Sequence, residues 1–594
     1  MYALFLRYSI VGIILILLVF PLLRFIEQPS ISPVTPQNVA PKPETTLSGS
    51  YLAGRHANMY ADNKAATRYL SQAMMYAPLD RDLTSQAIRS EVLDGHMAEA
   101  VTLAREKTAL KVDVPAIHLV LFTEESRQGN WDLANNHLAN IRTYGLQAVT
   151  LPFLKSWLTL AKEGKVVPPE SALKLKHSFY QAFVQYQNAL LYDVAGNSVN
   201  ATQHYNEALA DISIVPERFV SVAMQFFIRQ NNVARAEEIY AAYQAANIGN
   251  LSLQSTPASL VITALEQTKK DMMIATPQDG IAEVMFTMAS LLHSEMIDRE
   301  ALMYVRLALA MKSSFAEATY LLGEVLEDSD KKQEAMDAYA AIDKNHPLYR
   351  RAALRRAFLL DESDKTPQAM MLLQELSKQF KQPSDVYLTM GDILRNEKKY
   401  SDAVVSYTQA IDALGTIKPQ FWPLFYTRGI SYERAGQWEK AEADFLRALS
   451  LEPNQPDVKN YLAYSWILMK KNLDQAIDML EQAAESRPED GHIVDSLAWA
   501  YYVSGKTNKA LDVIEMAIEL MPHDPTVNDH YGDILWQKGR RTEARFQWER
   551  ALAFHPDPQD KLVIEQKLRH GPVIQKTDAK RGTDARHSAI SAQP

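Results

Sequence analysis

The sequence of 594 residues contains no cysteine and little glycine, with only 21 glycines in the whole chain. Without cysteine there can be no disulfide, no cysteine-ligated zinc, no thiol nucleophile and no lipid-modified N-terminal cysteine. Scarce glycine, with abundant alanine, leucine, glutamate and glutamine, favours helix over sheet. The net charge of -9 lacks the cationic excess that phosphate binding needs, which argues against a general nucleic-acid binder. The composition therefore predicts an all-α protein.

Local patterns of common catalytic and cofactor sites are also missing from the sequence. It has no phosphate-binding glycine loop, no H-E-x-x-H zinc motif and no G-x-S-x-G nucleophile elbow. His530 lies between Asp529 and Asp533, but a single histidine with two carboxylates on one helix is more often a surface network than a metal site. We therefore expect no enzyme activity, no cofactor and no metal.

One long apolar run stands at the N-terminus. Between Arg7 and Arg24 the sequence reads YSIVGIILILLVFPLL, without a charge. As a helix, residues 1–26 would extend about 39 Å and cross a hydrocarbon core of about 30 Å with some tilt. No small-x-small cleavage site follows closely, which favours an uncleaved anchor over a signal peptide. The amino terminus and Arg7 on one side of the run and Arg24 on the other barely distinguish the two orientations across a bilayer. We expect a short cytoplasmic N-terminus on the bacterial inner membrane, with the body of the chain in the periplasm.

The segments that flank the body have their own composition. Residues 27–47 carry five prolines and no helical period, which predicts a stiff, extended linker. Residues 571–594 are polar, aperiodic and rich in Lys and Arg, which predicts a disordered tail. Before this tail, residues 557–570 are predicted to form a capping helix.

The body of the chain repeats itself. An alanine recurs in steps of 34 residues, with one step of 38, one of 35 and a gap between residues 134 and 301 in which Ala201 and Ala236 mark weaker copies. The recurring positions are Ala66, Ala100, Ala134, Ala301, Ala335, Ala369, Ala403, Ala441, Ala476, Ala510 and Ala544. In the clearest copy, YGDILWQKGRRTEARFQWERALAFHP at residues 531–556, a small residue stands twelve positions before this alanine and a proline twelve after it.

This pattern resembles the tetratricopeptide repeat, a helix-turn-helix unit of 34 residues. The resemblance implies a right-handed superhelical α-solenoid, with degenerate repeats over 48–300 and a regular array over 301–556. Small side chains at the repeat positions would let two helices approach closely, and proline would end the second helix. The signature residues are Gly323, Ala335, Gly391, Ala403, Gly429, Ala441, Pro453, Ala476, Pro488, Ala510, Pro522, Gly532, Ala544 and Pro556.

In this repeat class the first helix of each unit lines an inner wall, which the resemblance implies as the docking surface. The wall residues predicted from the spacing in the last four repeats are Tyr426, Glu433, Arg434, Tyr461, Asp495, Trp499, Tyr502, Asp529, His530, Asp533 and Trp536. An aromatic and acidic wall would suit a peptide with apolar anchors and some Lys or Arg. The alternative is that Asp495 and Asp529 link adjacent helices and that the aromatic rings fill the space between repeats.

The sequence of the C-terminal repeats resembles a narrower proteobacterial family of long tetratricopeptide proteins, and the resemblance includes NYLAYSW at 460–466 and DGHIVDSLAWAYY at 490–502. That family includes an outer-membrane lipoprotein that is the binding partner of a periplasmic C-terminal processing protease. The resemblance implies a membrane-anchored scaffold whose partners are other proteins, including a protease and cell-wall hydrolases. The alternative is a cytoplasm-facing scaffold of the inner membrane that regulates envelope biogenesis.

Overall fold

The described residues fold entirely into helices joined by short turns. The computed structural model describes residues 46–141, 146–169, 178–247, 258–267 and 272–572. The predicted anchor, almost all of the predicted linker and almost all of the predicted tail lie outside these ranges. Within them there is no strand, and no helix combines enough length and hydrophobicity to cross a bilayer. The all-α prediction is confirmed for the described residues.

The chain divides into two compact units, residues 1–375 and 376–594. Unit 1 contains α1 (Leu47–Met59), α2 (Asn63–Tyr76), α3 (Arg81–Asp94), α4 (Met97–Ala109), α5 (Pro115–Gln128), α6 (Trp131–Ala139), α7 (Leu146–Glu163), α8 (Ser178–Val194), α9 (Ser198–Ala208), α10 (Glu217–Arg229), α11 (Val233–Ala246), α12 (Ala258–Gln267), α13 (Pro277–Ser294), α14 (Asp298–Met311), α15 (Ala316–Asp328), α16 (Lys332–Ala340) and α17 (Tyr349–Glu362). The boundary between the units falls inside α18 (Thr366–Gln379).

Unit 2 continues the alternation of paired helices. Its elements are α19 (Ser384–Asn396), α20 (Tyr400–Asp412), a short 3₁₀ turn (Pro419–Phe421), α21 (Trp422–Arg434), α22 (Trp438–Leu451), α23 (Pro456–Leu468), α24 (Leu473–Ser486), α25 (Gly491–Val503), α26 (Thr507–Leu520), α27 (Pro525–Gln537), α28 (Arg541–Ala553) and α29 (Pro558–His570). α29 lies where the capping helix was expected. Each helix in this unit packs chiefly on its chain neighbours.

The recurring alanine has one fixed place in every hairpin. It is the fourth residue of the second helix, as Ala66 is in α2 and Ala544 is in α28. Every one of the recurring alanines, including Ala201 and Ala236, has 0% of its surface exposed. The first helix of the hairpin therefore contacts the second at this point, with room for no more than a methyl group.

The small residue on the first helix makes the matching contact. A Cβ on Gly532 would lie 2.3 Å from Nε1 of Trp548, and a Cβ on Gly323 would lie 2.4 Å from the ring of Tyr339. In each case the ring belongs to the residue sixteen positions later, on the second helix of the same hairpin. Glycine is needed here because the aromatic ring fills the space that a side chain would take.

Both irregular steps in the repeat spacing lie in turns. The step of 35 between Ala441 and Ala476 places its extra residue in the turn before α24, where Lys470 and Asn472 both have positive φ. The step of 38 between Ala403 and Ala441 places its extra residues between α20 and α21, where the 3₁₀ turn forms. Insertions at these places leave the packing positions inside the helices unchanged.

Unit 1 departs from the expectation that the inner wall is free. α14 packs on α3 and α5, the first helices of two N-terminal hairpins, and α13 packs on α7. Arg299 donates from Nη2 to Oδ1 of Asn58 at 2.8 Å, and Arg89 pairs with Glu300 at 3.3 Å. In these hairpins the surface expected for a partner is covered by the chain itself. The expectation of an open inner wall is therefore wrong for this part of unit 1.

Candidate protein-docking site

The predicted wall of unit 2 is built on α21, α23, α25 and α27, the first helices of four successive hairpins. Asp490 and Asp524 fix the starts of α25 and α27, because each aspartate side chain accepts hydrogen bonds from two backbone N–H groups of the first turn. Capping in this way sets the same starting angle for both helices. Residues 34 positions apart therefore lie side by side on the wall.

Five of the eleven predicted contact residues are buried. Their exposed fractions are between 3% and 7%, and they are Glu433, Tyr461, Asp495, His530 and Asp533. Four of them pair across neighbouring first helices, Glu433 with Tyr461 and Asp495 with His530. Asp533 instead faces Lys567 of α29 and Trp548 of α28. Burial therefore corrects the prediction that these five side chains contact a partner directly, although they shape the surface beside them.

The seam between α25 and α27 holds a histidine and a carboxylate. Nδ1 of His530 lies 2.9 Å from Oδ2 of Asp495. Burial of the ring acts to lower the pKa of His530, but the facing carboxylate of Asp495 outweighs it and raises this pKa above its ordinary value. The histidine does not lie between Asp529 and Asp533 in space, although it does in sequence, because it points toward the preceding repeat.

Asp529 and Asp533 instead share a lysine from the closing helix. Nζ of Lys567 on α29 lies 2.7 Å from Oδ2 of Asp529 and 2.8 Å from Oδ2 of Asp533. Oδ1 of Asp533 also accepts a hydrogen bond from Nε1 of Trp548. Burial, with the nearby charge of Asp529, raises the pKa of Asp533 to about 6 although Lys567 acts to lower it. Sequence reasoning missed Lys567, and the available signal was two carboxylates four residues apart that need a cation.

The remaining charges of the wall are matched in the same way. Glu433 pairs with Arg434 at 3.4 Å and accepts a hydrogen bond from the hydroxyl of Tyr461 at 3.4 Å. Asp457 pairs with Arg487 at 2.8 Å. Each carboxylate of this surface therefore faces a basic side chain of the same unit, and Asp529 and Asp533 share one, so less negative charge is open to a partner than the sequence suggests.

The open part of the wall is aromatic. Trp499 stacks on His530 with ring centroids 4.0 Å apart and on Tyr502 with centroids 4.8 Å apart. Both Trp499 and Tyr502 are half-buried, and Nε1 of Trp499 makes no hydrogen bond to any described residue. We call Trp499 and Tyr502 the aromatic platform.

The two ends of the predicted wall are less available. Trp536 is half-buried beneath the start of the C-terminal segment, because the position of a Cβ on Gly571 would be 2.4 Å from its ring, and Arg541 stands 5.2 Å over it. At the other end Tyr426 meets Tyr461 edge-on at 6.0 Å. The sequence thus placed these residues on the correct helices but did not separate open positions from filled ones.

A possible cation site occurs in unit 1, where one histidine and two carboxylates converge among the described residues. Nδ1 of His293 lies 2.9 Å from Oδ1 of Asp298, and Nε2 lies 3.8 Å from Oδ2 of Asp328. Each ring nitrogen faces its own carboxylate, so ion pairing accounts for the group. The expectation that the chain holds no metal stays a prediction.

Comparison with known proteins decides what the hairpins are. Residues 320–555 match the family described as Tetratricopeptide repeat. Residues 320–555 are an array of tetratricopeptide repeats. A repeat-containing protein of Pseudomonas aeruginosa is 26% identical over 190 residues, which are 32% of this chain and 31% of that protein. The general transcriptional corepressor ssn6 of Schizosaccharomyces pombe is 28% identical over 143 residues, or 24% of this chain and 13% of that protein.

The matches to these two relatives span less than a third of the length of either. Among solved structures, the Cut9–Hcn1 hetero-tetramer of the APC/C has 14% identity over 88% of this chain and 96% of that one, with a TM-score of 0.36. A tetratricopeptide repeat protein from Parabacteroides merdae has 16% identity over 43% of this chain and 98% of that one, with a TM-score of 0.34. Tetratricopeptide repeats are protein-interaction scaffolds, and this chain carries such a scaffold.

Proposed function

We propose that the protein is a non-enzymatic adaptor that holds another polypeptide on the aromatic platform of unit 2. The observation that carries this proposal is the stacked arrangement of Trp499 with Tyr502 and His530, in which the rings of Trp499 and Tyr502 are only half-buried. Large, rigid aromatic side chains are also the residues that most often anchor protein interfaces.

The ligand that fits this platform is a peptide with apolar or aromatic anchors. Lys and Arg were also expected in the ligand because the wall was read as acidic. The carboxylates at positions 495, 529 and 533 already have cationic partners, so an incoming cation would have to displace His530 or Lys567. Stacking on Trp499 and Tyr502 requires no such displacement.

A photo-crosslinking residue placed at Tyr502 in the full chain tests the adaptor proposal directly. Irradiation in the native cells should yield adducts with a small set of polypeptides, and Trp499→Ala should remove most of them. The matched control carries the crosslinker at Phe546, which is 58% exposed on a second helix of the same unit. Equal adducts at both positions, or adducts at Tyr502 that persist in Trp499→Ala, would reject the aromatic platform.

The double variant Trp499→Ala, Tyr502→Ala tests the aromatic platform and leaves Trp536 in place. Because Trp536 packs against Gly571 and Trp548, its replacement would disturb the closing helix as well as any partner. Far-ultraviolet circular dichroism of the double variant should match the parent. Lost binding with retained helicity would assign the effect to the surface.

We also propose that residues 1–26 anchor the protein in a bacterial inner membrane, with its body in the periplasm, where it presents substrates to a protease. The apolar run at residues 8–23 and the resemblance of the C-terminal repeats to a protease-partner family support this location. Alkaline phosphatase fused after Pro594 should be active in this orientation. An inactive fusion would favour the cytoplasm-facing scaffold, and failure to recover a protease with the purified chain would reject the presenting role.

A further inference from the structure

A cleft of about 840 Å³ lies beside the first helix of unit 1. Its walls are α1, the first helix of the next hairpin α3, and Arg299 at the start of α14. The self-covered part of the inner wall ends near this point, because α14 packs on α3 and α5 and reaches α1 through the hydrogen bonds of Arg299 to Asn58. The cleft is therefore a part of this wall that α14 does not cover.

One stripe of α1 lines the cleft. Tyr51, Leu52, His56 and Met59 all face it, and the opposite stripe of Ser50, Gly54 and Ala57 is buried against α2. Leu52 is 64% exposed and Met59 is 72% exposed, while Tyr60 beside them is 68% exposed. Repeat arrays normally cover their terminal hairpins with a polar cap, and here Leu52 and Met59 stay exposed, beside the polar lining residues Arg55, Asp82 and Gln86.

We propose that the proline-rich segment at residues 28–45 of the same chain lies in this cleft and acts as the N-terminal cap of the array. It carries prolines at positions 29, 33, 36, 41 and 43, and its only charges are Lys42 and Glu44. Such a sequence favours the polyproline II conformation, whose prolines dock between aromatic rings without needing backbone donors. Tyr51 and His56 supply such rings in the cleft, and the ring of Tyr60 lies 4.7 Å from that of His56, tilted by 43°.

The length and attachment of the segment allow this placement. Eighteen residues in the polyproline II conformation extend about 56 Å, and a helix of thirteen residues such as α1 is about 20 Å long. The segment joins α1 directly at Thr46, so a turn of a few residues leaves enough chain to run back along the whole stripe. A covalent tether of this kind also gives a high effective concentration, so weak individual contacts suffice.

Engineered disulfides test the proposal with unusual clarity, because the chain contains no cysteine of its own. Single cysteines at Ser30, Val34 and Val39 are each combined in the full-length, detergent-purified protein with a cysteine at Met59. The matched control pairs each one with a cysteine at Met75, which is 75% exposed on the second helix of the same hairpin and does not line the cleft. After mild oxidation, intramolecular bonds to position 59 should form at least tenfold faster than bonds to position 75.

A second variant separates docking from chance encounter. Replacing Pro33, Pro36 and Pro41 with Ser should reduce the rate of bond formation to position 59 to that of the Met75 control, while helicity stays unchanged. Equal rates at both positions in the parent would overturn the proposal. So would bonds that form only between two molecules, which would assign the stripe to a second copy, or slower bond formation when phosphatidylglycerol vesicles are added, which would assign it to a bilayer.

Discussion

The alanine at the fourth position of each second helix has the simplest physical role in the molecule. Its methyl group is fully buried where two helices approach closely, so the site has no volume to spare. The aromatic ring four residues later, such as Trp548 after Ala544, fills the remaining space and lies against a glycine of the first helix. Volume at these positions is therefore fixed on both sides of the contact.

Ala544→Leu should overpack the last hairpin and lower the free energy of unfolding by about 1–3 kcal/mol. The measurement is urea unfolding followed by circular dichroism at 222 nm. Phe546→Leu, two residues away and largely exposed, is the control and should leave the midpoint nearly unchanged. An unaltered midpoint in Ala544→Leu would contradict the assignment of this position to the helix contact.

The pairing of His530 with Asp495 makes the stability of unit 2 depend on pH. Because the pKa of His530 is raised in the fold, its contribution is present below the unfolded value of about 6.5 and is lost as pH rises through the folded value. Asp533 acts in the same direction between pH about 4 and 6, since a raised carboxyl pKa favours the protonated form in the fold.

We therefore expect the thermal midpoint to fall between about pH 6 and pH 9, and His530→Gln to flatten that slope. The control is His570→Gln, at the exposed end of α29. Scanning calorimetry over this pH range measures both slopes. A wild-type slope that His530→Gln leaves unaltered would assign the pH dependence to other groups.

Residues that pack inside one hairpin and residues that pair between neighbouring elements differ in how well the sequence predicts their contacts. Ala544 and Gly532 were predictable because the contact they make lies inside one hairpin, where the sequence spacing fixes the geometry. The pair His530–Asp495 joins adjacent repeats, and Lys567 reaches Asp529 across 38 positions. Such pairs depend on the rotation between neighbouring hairpins, which a single sequence does not specify. Burial of Tyr461 and Asp495 was missed for the same reason.

At the scale of elements, the turn inside each hairpin follows one rule. Except in the hairpin of Ala476, where Lys470 and Asn472 take this conformation, the residue five positions before the recurring alanine has positive φ. It is glycine in some hairpins, such as Gly505 and Gly539, but not in others. Asp364 and Lys398 occupy this left-handed conformation with φ of 57° and 59°. Side chains disfavour this conformation, so several turns of the array are strained.

Lys398→Gly should raise the free energy of unfolding by about 0.5–1 kcal/mol, because it relieves the left-handed strain of an exposed turn. The reverse change, Gly505→Ala, should lower it by about 1 kcal/mol. A Cβ at Gly505 would meet no atom within 4 Å, so its cost would come from the backbone alone. Urea midpoints that move in the same direction for both variants would contradict this explanation.

The closing helix α29 is held by one ion-pair group. Lys567→Met would leave Asp529 and Asp533 partly buried without a cation, and we expect a loss of about 3–5 kcal/mol in stability. Lys561→Met on the same helix is the control, because Lys561 is exposed. Denaturant unfolding measures the difference. Equal midpoints for the two variants would show that α29 is held by its apolar contacts alone.

At the scale of the whole molecule, the two units use repeats differently. In unit 2 the hairpins contact mainly their neighbours, and only α29 is added to finish the stack. In unit 1, α13 and α14 return to the N-terminal hairpins, with Thr150 and Tyr304 in contact at 3.3 Å across 154 positions. A repeat period read from the sequence predicts neighbour packing, and it contains no information about this return.

Removing one repeat should therefore have different effects in the two units. Deletion of residues 491–524 joins Asp490, a helix cap, to Pro525 and should leave a cooperative fold of unchanged helicity per residue. Deletion of residues 81–114 joins Asp80 to Pro115 but removes α3 and its pair Arg89–Glu300, and should loosen α14. Hydrogen exchange of α14 distinguishes them, and equal protection in both deletions would contradict this contrast.

Neighbour-only packing in unit 2 also has a mechanical consequence. A scaffold tethered at one end and attached to a partner along its length can carry tension when that partner moves. Each hairpin that opens would release about 34 residues, or roughly 110 Å of extended chain, and each could close again independently. Under load such a stack would lengthen in discrete, reversible steps, one hairpin at a time, before the contact with its partner breaks.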